Sequence, residues 1–273
     1  MTFKVACVQN CATPDIQHDI GVLTRLIRDA AAAGAHFIAT PEYCAGLDTR
    51  DGLLYPVAPS EEHHPVLPAM AALARELGVW ILIGSIGVKA AGGRINNRSY
   101  MLKPDGAIAA RYDKIHMFDV DLGPGKIYRE SATIAPGSTA VISPCLEGSI
   151  GLSICYDLRF AHLYRAYAQA GAELLAIPAA FTRMTGEAHW HVLQRARAIE
   201  NGAYVIAPCQ YGTLAGGSQC FGHSLIVDPW GRVLADGGDG EGIVLADVDL
   251  AQVRLTRSRI PSLTHDRPFT LLS

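Results

Sequence analysis

Phe3 to Asn10 alternates apolar and polar residues and then turns apolar, the pattern of a strand whose far end is buried. From Asp15 or Gln17, either of which can cap, the spacing switches to an amphipathic helix that runs to about Ala33 and ends at Gly34. Phe37 to Thr40 predicts a second strand. Pro65 to Leu77 predicts a second helix, opened by Pro and closed by Gly78. Val79 to Gly84 is a buried strand, and residues 98–102 and 107–112 form a hairpin around Pro104-Asp-Gly106. Residues 116–136 lack periodicity and read as a long charged loop. The alternation then resumes as strand 148–154, helix 160–170, strand 173–177, helix 188–201 and strand 203–208. Three strands follow, near 223–228, 232–235 and 242–247, with Pro229-Trp-Gly231 as a turn, and a short helix near 250–259 precedes an irregular basic tail.

Strands alternating with helices predict an α/β fold. The chain has 273 residues, 49% hydrophobic and 18% charged, enough for one large core, so residues 1–273 read as a single domain with an extended tail at about 260–273. A net charge of -3 gives no basic surface for nucleic acid or an anionic membrane. No apolar run approaches the roughly 18 residues that cross a bilayer. The opening Met1-Thr-Phe-Lys-Val-Ala reads as neither signal nor transit peptide. Cysteines 7, 11, 44, 145, 155, 209 and 220 are odd in number, scattered and without Cys-x-x-Cys spacing. Reduced thiols in the cytoplasm are the expectation.

The chemistry concentrates at three strand ends. Cys155 closes the apolar run Gly148-Ser-Ile-Gly-Leu-Ser-Ile, and a helix-like stretch follows from Arg159. A thiol on such a turn is exposed at the top of a sheet, where backbone N–H groups can stabilise a thiolate or an oxyanion. Glu42 ends Phe37-Ile-Ala-Thr-Pro, and Lys114 follows Arg111-Tyr-Asp. In an α/β sheet such ends converge on one rim, and a thiol, a carboxylate and a cation there make an acyl-transfer set. Singly, each has a plainer explanation: a buried apolar thiol, a turn carboxylate, a solvated lysine. No Gly-x-Gly-x-x-Gly follows a strand, which removes dinucleotide binding.

Beyond those three residues, Pro41-Glu42-Tyr43, Tyr112-Asp-Lys114-Ile-His116, Glu130-Ser131 with Pro136-Gly137, and Gly151-Leu-Ser-Ile-Cys155-Tyr-Asp157-Leu-Arg159-Phe160 occur in order. Thr185-Gly-Glu-Ala-His189-Trp190, Arg195-Ala-Arg197-Ala-Ile-Glu200-Asn201 and Gly222-His223-Ser224 with Asp228-Pro-Trp-Gly231 complete the set. This ordered series, from Val5 to Pro268, resembles the nitrilase (carbon–nitrogen hydrolase) superfamily. The resemblance implies a four-layer αββα sandwich without metal or organic cofactor. It implies a Glu42–Lys114–Cys155 catalytic triad, with Glu130 as a second, supporting glutamate. Tyr156 is expected to offer its backbone N–H to the oxyanion. The resemblance leans to amidase-type members because Tyr156-Asp157 replaces the Trp-Glu of true nitrilases. Within these it leans to the branch of deaminated glutathione amidase and omega-amidase, and to release of ammonia from a small primary amide. Departures are Ala161 in place of a usual Pro and a Gly-rich Tyr211–Cys220 loop without its frequent basic residue. Alternative activities are N-carbamoyl-amino-acid or nitrile hydrolysis; a non-enzymatic interaction protein is disfavoured by retention of all four residues.

Arg159 and Arg183 are the candidates for a substrate carboxylate, since a guanidinium binds one bidentately. A thiolate next to Lys114 is expected to have a lowered pKa. His116, His189 and His223 are assigned loop-holding hydrogen bonds in preference to a Cys–His mechanism. His189 and His191, two apart on a helix, point away from each other, and His63-His64 reads as a solvated pair. The resemblance further implies a homodimer, with helices 159–170 and 189–201 meeting their copies across a two-fold axis and the tail from Arg254 to Arg267 crossing onto the partner.

Overall fold

The computed structural model describes residues 2–50, 53–123 and 127–272. Strand β1 (Thr2–Gln9) leads into α1 (Ile16–Ala32), β2 (Phe37–Ala39), the small hairpin β3 (Leu47–Arg50) and β4 (Leu53–Pro56), and α2 (Val66–Leu77). Strands β5 (Trp80–Lys89), β6 (Ile95–Leu102), β7 (Ile108–Asp113), β8 (Asp119–Asp121), β9 (Ile127–Arg129) and β10 (Ile134–Ala135) follow. The second half comprises β11 (Val141–Cys145), β12 (Gly148–Leu152), α3 (Ala161–Gln169), β13 (Leu174–Ala176), α4 (Arg183–Asn201), β14 (Tyr204–Ala207), β15 (Tyr211–Thr213) and β16 (Gln219–Phe221). It ends with β17 (Leu225–Val227), β18 (Val233–Asp236), β19 (Gly242–Asp249) and α5 (Leu250–Arg259).

One sheet has the order β10-β6-β5-β2-β1-β19, with β7 on β6; the other runs β11-β12-β13-β14-β17-β18. In the first sheet both faces are apolar, and the period of two sorts them. Val5, Cys7, Phe37, Ala39 and Leu82 face the second sheet's Ile150, Leu152 and Leu174. Ala6, Val8, Ile38, Ile81 and Ile83 face Leu23, Ile27, Met70 and Leu73 of α1 and α2. Helices α3 and α4 cover the outer side of the second sheet through Leu163, Tyr164, Trp190 and Ala198. The result is the four-layer αββα sandwich.

Local signals place most boundaries. Asp15 caps α1, accepting from the N–H groups of Gln17 and His18. Gly78 closes α2 at φ +66°, the left-handed position that glycine takes without strain. Helix α4 begins five residues before the expected 188, at Arg183, because Gly186 does not interrupt it: Phe221 lies so close that any Cβ there would overlap its ring. The three late strands do not stay together. β17 and β18 complete the second sheet, whereas β19 crosses to pair antiparallel with all of β1. The 116–136 loop is also more ordered than its sequence suggests, holding the β8–β9 hairpin and β10; its residues 124–126 lie outside the described residues.

The C-terminal tail is partly held down. Up to Asp266 it packs on its own chain: Arg165 and Gln169 of α3 bind the Asp266 carboxylate, and Arg257 donates to the carbonyls of Asn201 and Ala172. Its last described side chains, Phe269, Leu271 and Leu272, are exposed.

His64 is not solvated. It is buried against the core while its neighbour His63 is exposed, and its Nδ1 accepts the N–H of Val66 at 3.4 Å. Burial lowers its pKa to about 4. An unfolded histidine takes up a proton near pH 6.5, whereas this one stays neutral until about pH 4. Protonation therefore favours the unfolded chain as pH falls through that window, and stability present at neutral pH is lost. Between pH 7 and pH 5 the loss from this group is about 1–2 kcal/mol, discounted for solvent that screens part of the ring. Denaturant titrations at both pH values check it: His64→Leu is expected to lose less stability on acidification than the native chain, and an equal loss would remove His64 as the cause.

Candidate active site

Glu42 is the third residue of a sharply held turn after β2. Strand β5 has a register shift between Ile83 and Ile86, and the two residues inside it, Gly84 and Ser85, grip that turn. Gly84 lies so near the Thr40 and Pro41 carbonyls that a Cβ would overlap both, so glycine is required there. Ser85 Oγ accepts the N–H of Tyr43 at 2.8 Å. Tyr43 itself has φ +46°, an uncommon conformation for a bulky residue, and a buried amide, Gln210 Nε2, donates to the carbonyls of Glu42 and Tyr43 at 2.9 and 2.8 Å. Backbone strain of this kind concentrates at functional turns.

Lys114 follows β7 and is held by its backbone, its N–H donating to Asn97 O at 3.0 Å and its carbonyl accepting from Gly137 at 2.7 Å. Its ammonium is buried and donates to Glu42 Oε1 and to both oxygens of Glu130, each at 2.9 Å. Glu42 accepts in addition from Asn97 Nδ2 and from the N–H of Ala180, each at 2.8 Å. Glu130 accepts from the N–H of Phe118 at 2.6 Å. Burial alone would drive the ammonium neutral, yet the carboxylates of Glu130 and Glu42 outweigh it and hold the Lys114 pKa well above its ordinary value. Burial raises the Glu130 pKa, with Lys114 opposing.

Cys155 does not lead directly into a helix. It opens a short 3-10 turn, Cys155–Arg159, that separates β12 from α3. It has φ +48°, and its N–H donates to Pro178 O at 2.9 Å. The thiol is in hydrogen-bonding contact with Glu42. Burial first, and then the Glu42 charge, push its pKa well above the ordinary thiol value; Lys114 pulls the other way and loses. The expected lowering fails because the thiol is buried away from water and lies beside the Glu42 carboxylate, and together these outweigh the pull of Lys114. The resting group is therefore a thiol beside a carboxylate.

Asp157 couples the two halves of the site. Its buried carboxylate accepts from Tyr112 OH at 2.7 Å, from the backbone N–H of His116 at 3.0 Å and that of Ile154 at 2.8 Å, and contacts His116 Nδ1 at 2.7 Å. The segment carrying Lys114 is thus tied to the turn carrying Cys155. His116 also stacks on Phe160, with ring centroids 3.5 Å apart.

Glu42, Lys114, Glu130, Cys155 and Tyr156 all line one pocket of about 660 Å³, counting its open mouth. Phe118, Tyr128, Phe181, Leu54 and Leu214 give it an apolar wall, and Thr49, Thr182, Thr185, Ser218 and Gln219 supply neutral polar groups. No histidine is among the described residues that line it. His116 serves Asp157, His189 contacts Arg159 and His223 contacts Asp236. Neither Arg159 nor Arg183 lines the pocket. Arg159 lies against it, its guanidinium 5.8 Å from the Tyr156 ring centre and 5.5 Å from that of Phe181. Arg183 is drawn outward by Glu187 and Asp239 at 3.9 and 3.8 Å. Asn97, Gln210 and Asp157 escaped the sequence reading of the site; only Gln210, just beyond the end of β14, carried the strand-end signal that singled out Glu42 and Cys155.

Comparison with known proteins agrees with this architecture. The chain is 37% identical over 271 residues to the deaminated glutathione amidase of Synechocystis sp., covering 96% of this chain and 97% of that protein. It is 36% identical over 268 residues to the omega-amidase NIT2 of Mus musculus, covering 97% and 95%. The crystal structure of the C. elegans NitFhit protein superposes with a TM-score of 0.86 at 30% identity, over 97% of this chain; the chain spans only 65% of that longer protein. Residues 4–258 match the family described as carbon-nitrogen hydrolase. The chain belongs to that family, the nitrilase superfamily, and is a thiol-dependent amidase acting on carbon–nitrogen bonds other than peptide bonds.

Proposed function

We propose that Cys155 is the nucleophile, Glu42 the general base and acid, Lys114 the oxyanion stabiliser and Glu130 the residue that holds Lys114. The observation that carries this reading is the buried Glu42–Lys114–Glu130 ion set in contact with the Cys155 thiol. As sulfur attacks the amide carbonyl, its proton passes to Glu42, and the negative charge develops on the carbonyl oxygen. Lys114 Nζ and the Tyr156 backbone N–H face that charge, and one such donor is worth about 3–4 kcal/mol in the barrier. Glu42 then gives the proton to the departing nitrogen as the C–N bond breaks, leaving a thioester on Cys155. Water adds to the thioester with Glu42 again as base, and the acid departs as the thiol is restored.

The substrate is proposed from the relatives: deaminated glutathione first, 2-oxoglutaramate as the alternative. Expected ammonia release is too narrow a description for the first of these. Its scissile bond is a secondary amide, so an amine leaves; ammonia leaves only from a primary amide. Both substrates yield 2-oxoglutarate, which gives one common readout. Arg159 supports recognition of a substrate carboxylate, since it packs on two rings of the pocket wall. The test is 2-oxoglutarate release from these two, with 2-oxosuccinamate, an N-carbamoyl amino acid and a simple nitrile assayed in parallel for their own acids. Higher kcat/KM on deaminated glutathione than on the others is expected. Turnover confined to the nitrile or the carbamoyl compound would overturn the substrate assignment.

Residues 1–273 are read as one domain, and we propose that it works as a homodimer in the cytoplasm. The support for assembly is on α4, where Val192 and Ile199, seven residues apart on one stripe, are 66% and 51% exposed; Ile199 abuts Gly231, whose neighbour Trp230 is also exposed. Arg197 and Glu200 pair with each other at 2.9 Å within the chain, which leaves the apolar stripe as the self-complementary element. An obligate interface buries more than about 2,000 Å². Sedimentation velocity at micromolar concentration is expected to give a dimer that Val192→Asp with Ile199→Asp dissociates; a monomer before substitution ends the proposal.

A further inference from the structure

Three residues from separate parts of the second sheet layer converge outside the pocket. His191 comes from α4, His223 from the segment before β17, and Asp236 from the end of β18. His191 Nε2 lies 2.9 Å from Asp236 Oδ2, and His223 Nδ1 lies 2.8 Å from Asp236 Oδ1. One ligand-type atom from each residue falls within 4.8 Å of the others. Sequence spacing gave no sign of this, because His191 has its partners 32 and 45 positions along the chain; its near neighbour His189 points away to Arg159.

We propose that His191, His223 and Asp236 form a binding site for a borderline divalent transition-metal ion, with Zn2+ the best fit. Two imidazole nitrogens and one carboxylate oxygen suit Zn2+, Ni2+ or Cu2+ and not Mg2+ or Ca2+, which favour all-oxygen sets. Bonds of about 2.0–2.1 Å at tetrahedral angles place neighbouring ligand atoms about 3.3 Å apart, so the two His–Asp contacts lengthen by about half an ångström while any wider pair, within the 4.8 Å span, draws in around the ion. The side chains are partly exposed, at 37%, 25% and 34%, which leaves a path for the ion and room for water as a fourth ligand.

The rings are already aimed. His223 has φ +52° and stacks on Phe221 with centroids 4.5 Å apart, and its carbonyl accepts from Trp190 Nε1 at 2.8 Å. His191 meets His223 edge-on at 5.2 Å. Asp236 Oδ1 accepts from the N–H of Gly238 at 2.9 Å. The other nitrogen of His223 faces Asp239 Oδ1 at 3.6 Å, the outer carboxylate that orients many metal-bound imidazoles. The ion would join α4 to β18. Thr185 of α4 and Cys220, the neighbour of Phe221, line the pocket, so the site stiffens the rear of that wall and takes no part in bond breaking.

The test uses the full chain with Cys155→Ser, so that the active-site thiol cannot bind the ion. Co2+ is added as a spectroscopic probe and Zn2+ as a competitor. One equivalent of Co2+ is expected to give the visible absorption of a tetrahedral site, to be displaced by Zn2+, and to raise the thermal midpoint. His191→Ala, on the exposed side of a helix, and Asp236→Asn, nearly isosteric, are each expected to lose the band and the thermal shift while keeping the metal-free midpoint close to the parent. An unchanged Co2+ spectrum in both variants would overturn the site. So would the absence of any spectrum or thermal shift in the parent, which leaves the cluster as a hydrogen-bonded brace of two histidines on one aspartate.

Discussion

Cys155→Ala is expected to lower kcat/KM for the amide substrate by about 10⁴-fold or more, since removing a nucleophile leaves only binding and oxyanion stabilisation. The fold is expected to survive, because deleting one small sulfur from a pocket wall costs about 1 kcal/mol or less of packing. Steady-state kinetics with a thermal melt separates the two effects; hydrolysis at the native rate by a folded Cys155→Ala would remove the nucleophile assignment. The raised thiol pKa adds a sharper expectation. Iodoacetamide modifies Cys155 through proton transfer to Glu42 and not through a standing thiolate. Labelling is therefore expected to slow in Glu42→Gln. A rate unaffected by that change would show a thiolate formed without the glutamate.

Lys114→Met is expected to be the most destabilising single change at the site. Glu42 and Glu130 both bond the buried ammonium at 2.9 Å, so its removal leaves two carboxylates facing each other away from water. Breaking a buried pair from one side costs about 3–5 kcal/mol. Activity is also expected to vanish, with the cation gone from the oxyanion. The double variant Lys114→Met with Glu130→Gln restores the net charge of the cluster from minus two to the native minus one. Its stability is expected to recover by a measurable part of the loss, a non-additive coupling, while activity stays absent. Additive losses in denaturant titration would mean that the two residues do not share a charge balance, against the geometry described above.

The legible part of the fold was local. Period-two and period-3.6 patterns located β1, α1 and α2, because each buries its own apolar face whatever it packs against; the apolar run 79–84 marked the first half of β5, which continues to Lys89, and the Pro104-Asp-Gly106 turn marked the β6–β7 hairpin. Gly78 and Asp15 marked ends for reasons contained in a few residues. Glu42, Lys114 and Cys155 were singled out by their places at strand ends, and Glu130 by the family resemblance.

What the sequence left open depended on contacts far apart in the chain. α4 passes through Gly186 because Phe221, 35 positions on, fills the space of a side chain. β19 leaves the strands it follows because the edge of β1 offers it eight paired residues. His64 looked solvated beside His63, and only the packing around it decided that it is buried and hard to protonate. The sign of the Cys155 shift needed the folded surroundings: Lys114 lowers the thiol pKa, but burial and then the Glu42 charge raise it by more. Residue types set which reactions this chain can perform, because reactivity belongs to functional groups. Their ionisation, alignment and neighbours were decided by the tertiary structure, because electrostatic and packing energies depend on distances that the order of residues does not contain.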